Sequence, residues 1–312
     1  MTTQTQGIRK NERIAVVGGC GLMGQGIVLA CLMGSPVAQV RLIARRKEIL
    51  EQAMKQLRSG RFGLEGAVRR GKMAAPDMEQ MLARVHPTLS IGEGVADAHL
   101  VFETVPEILA QKHSVLRQIE AAAPADAIIA SNTSSIMIAE LAGVLERSAR
   151  MIGTHWFYPS NVMPLIEVAR ADQTASWVVE STVNFLKLIG KSPVIVGDSP
   201  GFFMTRFIDL YIAEAIQAVE QGRCGVREVD EMVKTGLGWP MGVFELLDTT
   251  GSFDSWYHSQ EYLHQTLGER YAIPYLARKV FAAGYRGAAS VKPGSKGGWY
   301  DYFGVSALGG KK

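Results

Sequence analysis

Hydrophobic residues in the first part of the chain gather in short, mostly apolar stretches, at 13–17, 39–43, 100–103, 127–130, 151–155 and 165–168. Ile14 to Val17, apolar and β-branched, predict a strand buried in a parallel sheet, and the other stretches read as further strands. Between them, residues 24–32, 47–57 and 112–122 carry helical patterns. Strands alternating with helices predict an α/β layer structure with helices on both faces of the sheet. The pattern changes around residues 191–197. After Asp198-Ser199-Pro200-Gly201 the apolar positions recur every three or four residues, predicting helices at 203–221, 226–235, 244–247 and 275–283. The expected domains are 1–197, α/β, and 198–312, all-helical and of ordinary domain size. The tail beyond Tyr302 is rich in Gly and Lys and is expected to fray.

Composition narrows the classes of function. The 312 residues are 47% hydrophobic and 20% charged, which is globular and not disordered. Lys plus Arg (33) against Asp plus Glu (30) leaves +3, too balanced to imply a nucleic-acid or membrane-surface partner. The three cysteines, Cys20, Cys31 and Cys224, lack paired spacing. They argue against disulfides and zinc, so a reducing cytoplasm and no metal are expected. Residues 1–12 are polar and do not read as a secretory signal. No apolar run reaches transmembrane length.

The first strand breaks into Val17-Gly18-Gly19-Cys20-Gly21-Leu22-Met23-Gly24, which contains G-x-G-x-x-G as Gly19, Gly21 and Gly24. The first glycine permits a tight turn, the second lets backbone approach a pyrophosphate, and the third lets helix and strand pack closely. With a strand before and a helix after, this predicts a Rossmann-like dinucleotide site. Its phosphates would face Gly19, Cys20, Gly21, Leu22, Met23 and Gly24 at a helix N-terminus. At the end of the second strand, where an acid would bind the ribose hydroxyls of NAD, stand Ala44, Arg45, Arg46 and Lys47. Guanidinium forks can grip a 2′-phosphate, so NADP is the expected cofactor, with NAD as the alternative.

Further motifs follow: Phe102-Glu103-Thr104-Val105-Pro106-Glu107, Ser131-Asn132-Thr133-Ser134-Ser135, Gly153-Thr154-His155-Trp156-Phe157-Tyr158-Pro159 and Val162-Met163-Pro164-Leu165-Ile166-Glu167-Val168. With Asp198-Ser199-Pro200-Gly201-Phe202, Gly238-Trp239-Pro240-Met241-Gly242-Val243-Phe244-Glu245-Leu246 and Gly298-Trp299-Tyr300-Asp301-Tyr302, the chain resembles the 3-hydroxyacyl-CoA dehydrogenase family from about residue 12 to 302. The chemistry suits the residues. Oxidising a secondary alcohol requires a base for the hydroxyl proton while hydride leaves for nicotinamide, and imidazole ordinarily titrates near neutrality. His155 follows a predicted strand, and Glu167, expected at the end of another, can steady an imidazolium. The resemblance implies that His155 and Glu167 are the catalytic pair and that Ser134 bonds the substrate oxygen. It places Glu107 and Lys112 near the nicotinamide ribose and carboxamide, and Lys72 on an arm meeting coenzyme A. It also implies a homodimer, formed mainly through the helical domain, L (S) stereochemistry and a role in fatty acid metabolism.

Three features depart from the family pattern, the Ala44-Arg45-Arg46 set being one. Thr205 precedes Arg206 where the family has an asparagine that helps to polarise the substrate carbonyl, and Tyr158 also replaces an asparagine. The expected activity is interconversion of a 3-hydroxyacyl thioester and the 3-oxoacyl thioester. The alternatives are a same-fold dehydrogenase of a free hydroxy acid or other non-CoA alcohol, resembling enzymes of carnitine, gulonate or pyridine alcohols, and a non-catalytic binding or structural protein.

Overall fold

The structure, a computed structural model, describes residues 13–35 and 38–306. Expectations for residues 1–12, and for the tail from 307 onward, lie outside the described residues. The chain divides into two compact units, the first ending at Phe202 and the second beginning at Phe203.

The first unit is built on one eight-stranded sheet: β1 (Arg13–Val17), β2 (Gln39–Ile43), β3 (Val85–Thr88), β4 (Leu100–Glu103), β5 (Ile128–Ser131), β6 (Met151–Trp156), β7 (Leu165–Arg170) and β8 (Ser192–Gly197). Their order across the sheet is β3-β2-β1-β4-β5-β6-β7-β8. From β3 to β6 every pair is parallel, β6 and β7 are antiparallel, and β7 and β8 are parallel again. The six predicted strands are all present. Helices Leu22–Gly34, Lys47–Ser59 and Leu109–Ala122 cover the predicted helical stretches. Continuous burial of Ile14, Val16, Val40, Leu42, Phe102, Ile152 and Val168 against Ile27, Leu32, Leu57 and Phe185 forms the core.

The structure departs from the sequence expectation in three respects. The segment at 191–197, read as a change of character, is β8, an edge strand with Val194 and Ile195 about half exposed. β3 contains Pro87 and lies at the opposite edge, where a missing ladder donor is tolerated. The sheet is also not wholly parallel. Only the eight residues 157–164 join β6 to β7, too few for a parallel crossover, so the chain must turn back antiparallel.

The second unit contains helices Met204–Glu220, Val226–Gly236, Val243–Thr250, Phe253–Leu267, Tyr275–Ala282 and Trp299–Phe303. Phe244, Phe253, Trp256 and Trp299 fill its core. Two buried carboxylates stitch it together. Asp230 accepts from the amides of Phe244 and Glu245 (2.9 and 2.8 Å) and from Tyr300 Oη (2.8 Å), and Asp248 accepts from the amides of Trp299 and Tyr300 (2.7 and 3.1 Å). The Gly-Trp-Pro and Gly-Trp-Tyr motifs are thus scaffold: acids satisfy the open amides of short helices.

A third buried acid, Asp209, accepts from Ser259 Oγ at 2.8 Å, and burial pushes its carboxyl up to about 8. At neutral pH it is protonated in the folded chain and ionised in the unfolded one. Stability therefore declines as pH rises from the ordinary carboxylate range through 8, by up to about 1.4 kcal/mol per pH unit. Asp248, pushed up to about 6 by burial, acts in the same sense only below that value. Between pH 6 and 8, denaturant unfolding of Asp209→Asn is expected to lose this decline. An equal decline in wild type and variant would refute the assignment.

Candidate active site

β1 is flanked by β2 on one side and β4 on the other, so the strand order reverses there. This crevice at the carboxyl ends of parallel strands is where α/β sheets bind ligands. The glycine loop leaves β1 at this point, and Thr104 fastens it to β4 by donating from both its amide and Oγ1 to Val17 O at 2.9 Å. A Cβ on Gly24 would lie 2.5 Å from Gly19 Cα, so the third glycine is required by packing. Gly21 is different. Its backbone is extended (φ −73°, ψ 170°), and a Cβ there would meet nothing nearer than Gly18 O at 3.7 Å. Neither conformation nor a protein neighbour demands glycine. The space in front of the first amides of helix Leu22–Gly34 is open to an anion, which fits a pyrophosphate.

The other members of the loop contribute backbone. Cys20 O accepts from Gln25 Nε2 at 2.7 Å, and burial pushes the Cys20 thiol up to about 11, which disfavours the thiolate. Leu22 is exposed and Met23 half-buried. Arg45 and Arg46 are exposed just beyond β2, and neither guanidinium has an ion-pair partner among the described residues. Ala44 beside them is buried.

Antiparallel pairing sets His155 of β6 directly opposite Glu167 of β7. Opposed residues share a face of the sheet, and His155 Nδ1 lies 2.7 Å from Glu167 Oε2 with both side chains buried. A carboxylate can only accept, so Nδ1 carries the proton and Nε2 presents a lone pair. Glu167 stands near the start of its strand and not, as the sequence led us to expect, at its end. Because β7 runs backward, that start lies at the sheet edge where β6 ends. The Phe157 ring lies 4.4 Å and the Phe202 ring 6.2 Å from the imidazole, centre to centre.

Glu107 and Lys112 belong to a buried network. Lys112 Nζ donates to Glu103 Oε1 and Oε2 (3.0 and 3.1 Å) and to Val105 O (3.2 Å), and is 3.3 Å from Glu107 Oε2. Its donors are occupied within the protein. Glu107 Oε1 accepts from Thr133 Oγ1, from the amides of Ser134 and Ser135 (2.9 and 3.0 Å) and from Ser135 Oγ (3.0 Å). Burial pushes the Glu107 carboxyl up, but Lys112 and the hydrogen bonds from Thr133 and Ser135 outweigh it and hold it below the usual carboxylate range. Burial pushes the Lys112 ammonium down, and the two carboxylates outweigh that and raise it. The network presents Ser134, half-exposed, whose hydroxyl has no hydrogen-bond partner among the described residues.

Some residues were not singled out from the sequence. Glu103 also accepts from Ser131 Oγ at 2.6 Å and from the Val105 amide at 2.7 Å, joining the ends of β4 and β5. A carboxylate ending an otherwise apolar strand was the available signal. Asp198 accepts from the amides of Ile138 and Ala139, and the Gly201 amide donates to Ser135 O, which ties the Asp-Ser-Pro-Gly-Phe motif to the serine loop. Lys72 is exposed in the turn between helices Leu64–Arg69 and Ala75–Ala83, and Thr205 is buried in the first turn of helix Met204–Glu220, in the second unit. No group of three or more His, Cys, Asp or Glu among the described residues could hold a metal ion, and no described helix is long and apolar enough to cross a membrane.

Comparison with known proteins covers both units. The model of the 3-hydroxyacyl-CoA dehydrogenase NAD binding domain matches residues 13–199, and that of the 3-hydroxyacyl-CoA dehydrogenase C-terminal domain matches residues 201–302. The chain is 34% identical over 268 residues, 85% of its length, to the fatty acid oxidation complex subunit alpha of Pseudomonas aeruginosa, of which it spans only 36%. It is 34% identical over 245 residues to the mitochondrial hydroxyacyl-coenzyme A dehydrogenase of Rattus norvegicus, covering 77% of this chain and 76% of that one. The solved (S)-3-hydroxybutyryl-CoA dehydrogenase of Ralstonia eutropha superposes with a TM-score of 0.80 at 31% identity, covering 90% of this chain and 96% of that one.

Proposed function

Since the chain belongs to the 3-hydroxyacyl-CoA dehydrogenase family, we propose that it interconverts a 3-hydroxyacyl-CoA and the 3-oxoacyl-CoA, with His155 as the general base and acid. The observation that carries this reading is the 2.7 Å bond between His155 Nδ1 and Glu167 Oε2 at the carboxyl edge of the sheet. In oxidation, His155 Nε2 takes the hydroxyl proton while Glu167 stabilises the imidazolium; in reduction, the same nitrogen returns it. When bound, the nicotinamide accepts or supplies the hydride. Ser134 offers its hydroxyl to the substrate oxygen, and Glu107 holds that serine's amide. Lys112 acts through Glu107, because its own donors are occupied. Thr205 supplies the remaining polar group toward the carbonyl, and Lys72 reaches the coenzyme A phosphates. The protein works as a cytoplasmic homodimer whose contact includes the exposed stacked rings of Phe203 and Phe207.

The N-terminal family domain is one that binds NAD. Within that cofactor class, the preference we infer is for NADP. Arg45 and Arg46 stand exposed where β2 ends, and positions 44–47 offer no carboxylate to repel a 2′-phosphate. One assay tests substrate and cofactor together: acetoacetyl-CoA with NADPH or NADH, followed at the nicotinamide absorbance. The expected result is turnover with kcat/KM favouring NADPH. A tenfold preference for NADH overturns the cofactor assignment. Silence toward the thioester with turnover of a free β-hydroxy acid overturns the substrate, and favours the reading that Thr205 and Tyr158 adapt the site to a non-CoA alcohol.

A further inference from the structure

Lys191 is a buried cation that the proposed reaction does not use. It immediately precedes β8, and its Nζ donates to Ser160 O at 2.7 Å and to Met163 O at 2.9 Å. The ammonium also lies 5.5 Å from the centre of the Trp156 ring. Both carbonyls belong to the loop 157–164, which leaves His155 and Trp156 on β6 and returns to Glu167 on β7. The same loop reaches the nucleotide helix. Ser160 Oγ donates to Met23 O at 3.3 Å, and a Cβ on Gly26 would come within 2.8 Å of Ser160 Cβ. A buried lysine is costly unless its donors are matched. Here two carbonyls and a ring face match them, and each of the two carbonyls is on the loop between the proposed base and its carboxylate.

We propose that Lys191 is a positioning residue: its ammonium clamps the loop 157–164 onto the first turns of helix Leu22–Gly34 and so aligns His155 with a dinucleotide bound at that helix. The inference rests on the dehydrogenase reading for its effect on turnover, but not for its effect on the loop. The clamp joins two parts that must be in register for proton and hydride to move together. Ser160 sits on Met23, within the loop that would hold the pyrophosphate, and Phe157 lies against the imidazole. An alignment error of about 1 Å is enough to slow chemistry on the order of a hundredfold.

The test compares Lys191→Met, which keeps length and removes the charge, with Lys191→Arg and Ser160→Ala. In Lys191→Met, kcat with acetoacetyl-CoA is expected to fall about 20-fold or more while KM stays within about threefold. The primary isotope effect with 4-deuterated reduced cofactor is expected to rise, because hydride transfer becomes limiting. Lys191→Arg restores part of kcat, since it retains donors for the two carbonyls. A merely structural lysine would lower the melting temperature and leave kcat and the isotope effect unmoved, and that result overturns the proposal. Should Lys191→Met fail to fold, Ser160→Ala cuts the other end of the tie. Its kcat is expected to drop several-fold at unchanged KM, and wild-type turnover in both Ser160→Ala and Lys191→Arg overturns the proposal. Hydrogen exchange separates this inference from the substrate reading. The amides of Val162 and Met163 are expected to exchange about tenfold faster or more in Lys191→Met, or in Ser160→Ala where Lys191→Met does not fold, whatever substrate the enzyme accepts. Unchanged exchange refutes the clamp even if the dehydrogenase reading holds.

Discussion

His155→Gln lowers kcat by about a hundredfold to ten-thousandfold, the range that general acid–base groups supply, and leaves the dissociation constant for reduced dinucleotide within about twofold. Glutamine fills a similar volume and can still hydrogen-bond toward Glu167, but it cannot take a proton near neutral pH. The loss falls on kcat because the dinucleotide loop lies at the end of β1, whereas His155 stands on β6, beyond β4 and β5 in the sheet. Glu167→Gln is expected to lose activity by a related route. An amide at 167 can donate to Nδ1, which permits the tautomer with the proton on Nε2 and removes the base. Steady-state kinetics with cofactor titration decide the matter, and near-normal turnover in His155→Gln would sink the assignment.

The second large effect is on stability. Lys112→Met removes a single buried ammonium that is within 3.3 Å of two carboxylates, Glu103 and Glu107. Breaking a buried pair leaves uncompensated charge and costs about 3–5 kcal/mol. For a chain of this size that corresponds to a melting temperature lower by roughly 10 °C. Activity falls as well, because Glu107 would no longer be fixed under the Ser134 amide. The double variant Glu103→Gln with Lys112→Met removes one carboxylate together with the cation. It is expected to be more stable than Lys112→Met alone, the non-additivity that marks a coupled network. Additive losses, or a Lys112→Met protein melting with the wild type, would contradict this account.

The comparison of sequence with structure has a physical pattern. Strands β1, β2, β4, β5, β6 and β7 were legible because most of their positions are buried, which leaves short, largely apolar stretches even where Arg41 or Glu167 stands among them. β3 and β8 were not. Pro87 interrupts one, and Val194 and Ile195 are half exposed on the other, so their strand state comes from pairing with a neighbour and not from a core-facing pattern. Within the site, the glycine loop was readable because its requirements are local. His155, Glu167 and Ser134 were picked out through resemblance, since isolated residues of those types carry no signal. Glu103 and Lys191 were missed. Each depends on an atom that sequence distance does not mark: Lys112 nine residues away on a helix, and the Ser160 carbonyl thirty-one residues away.

The sequence by itself determined the alternation of strand and helix, the dinucleotide loop, the basic end of β2 and the inventory of groups able to move a proton. Those are properties of neighbouring residues, set by local sterics and by hydrophobic period. Only the tertiary structure decided that β7 runs backward, so that Glu167 faces His155, and that Lys112 is enclosed by two carboxylates instead of being open to a ligand. The reason is that charge pairing depends on distance and burial, and both are set when separate strands come together in the sheet.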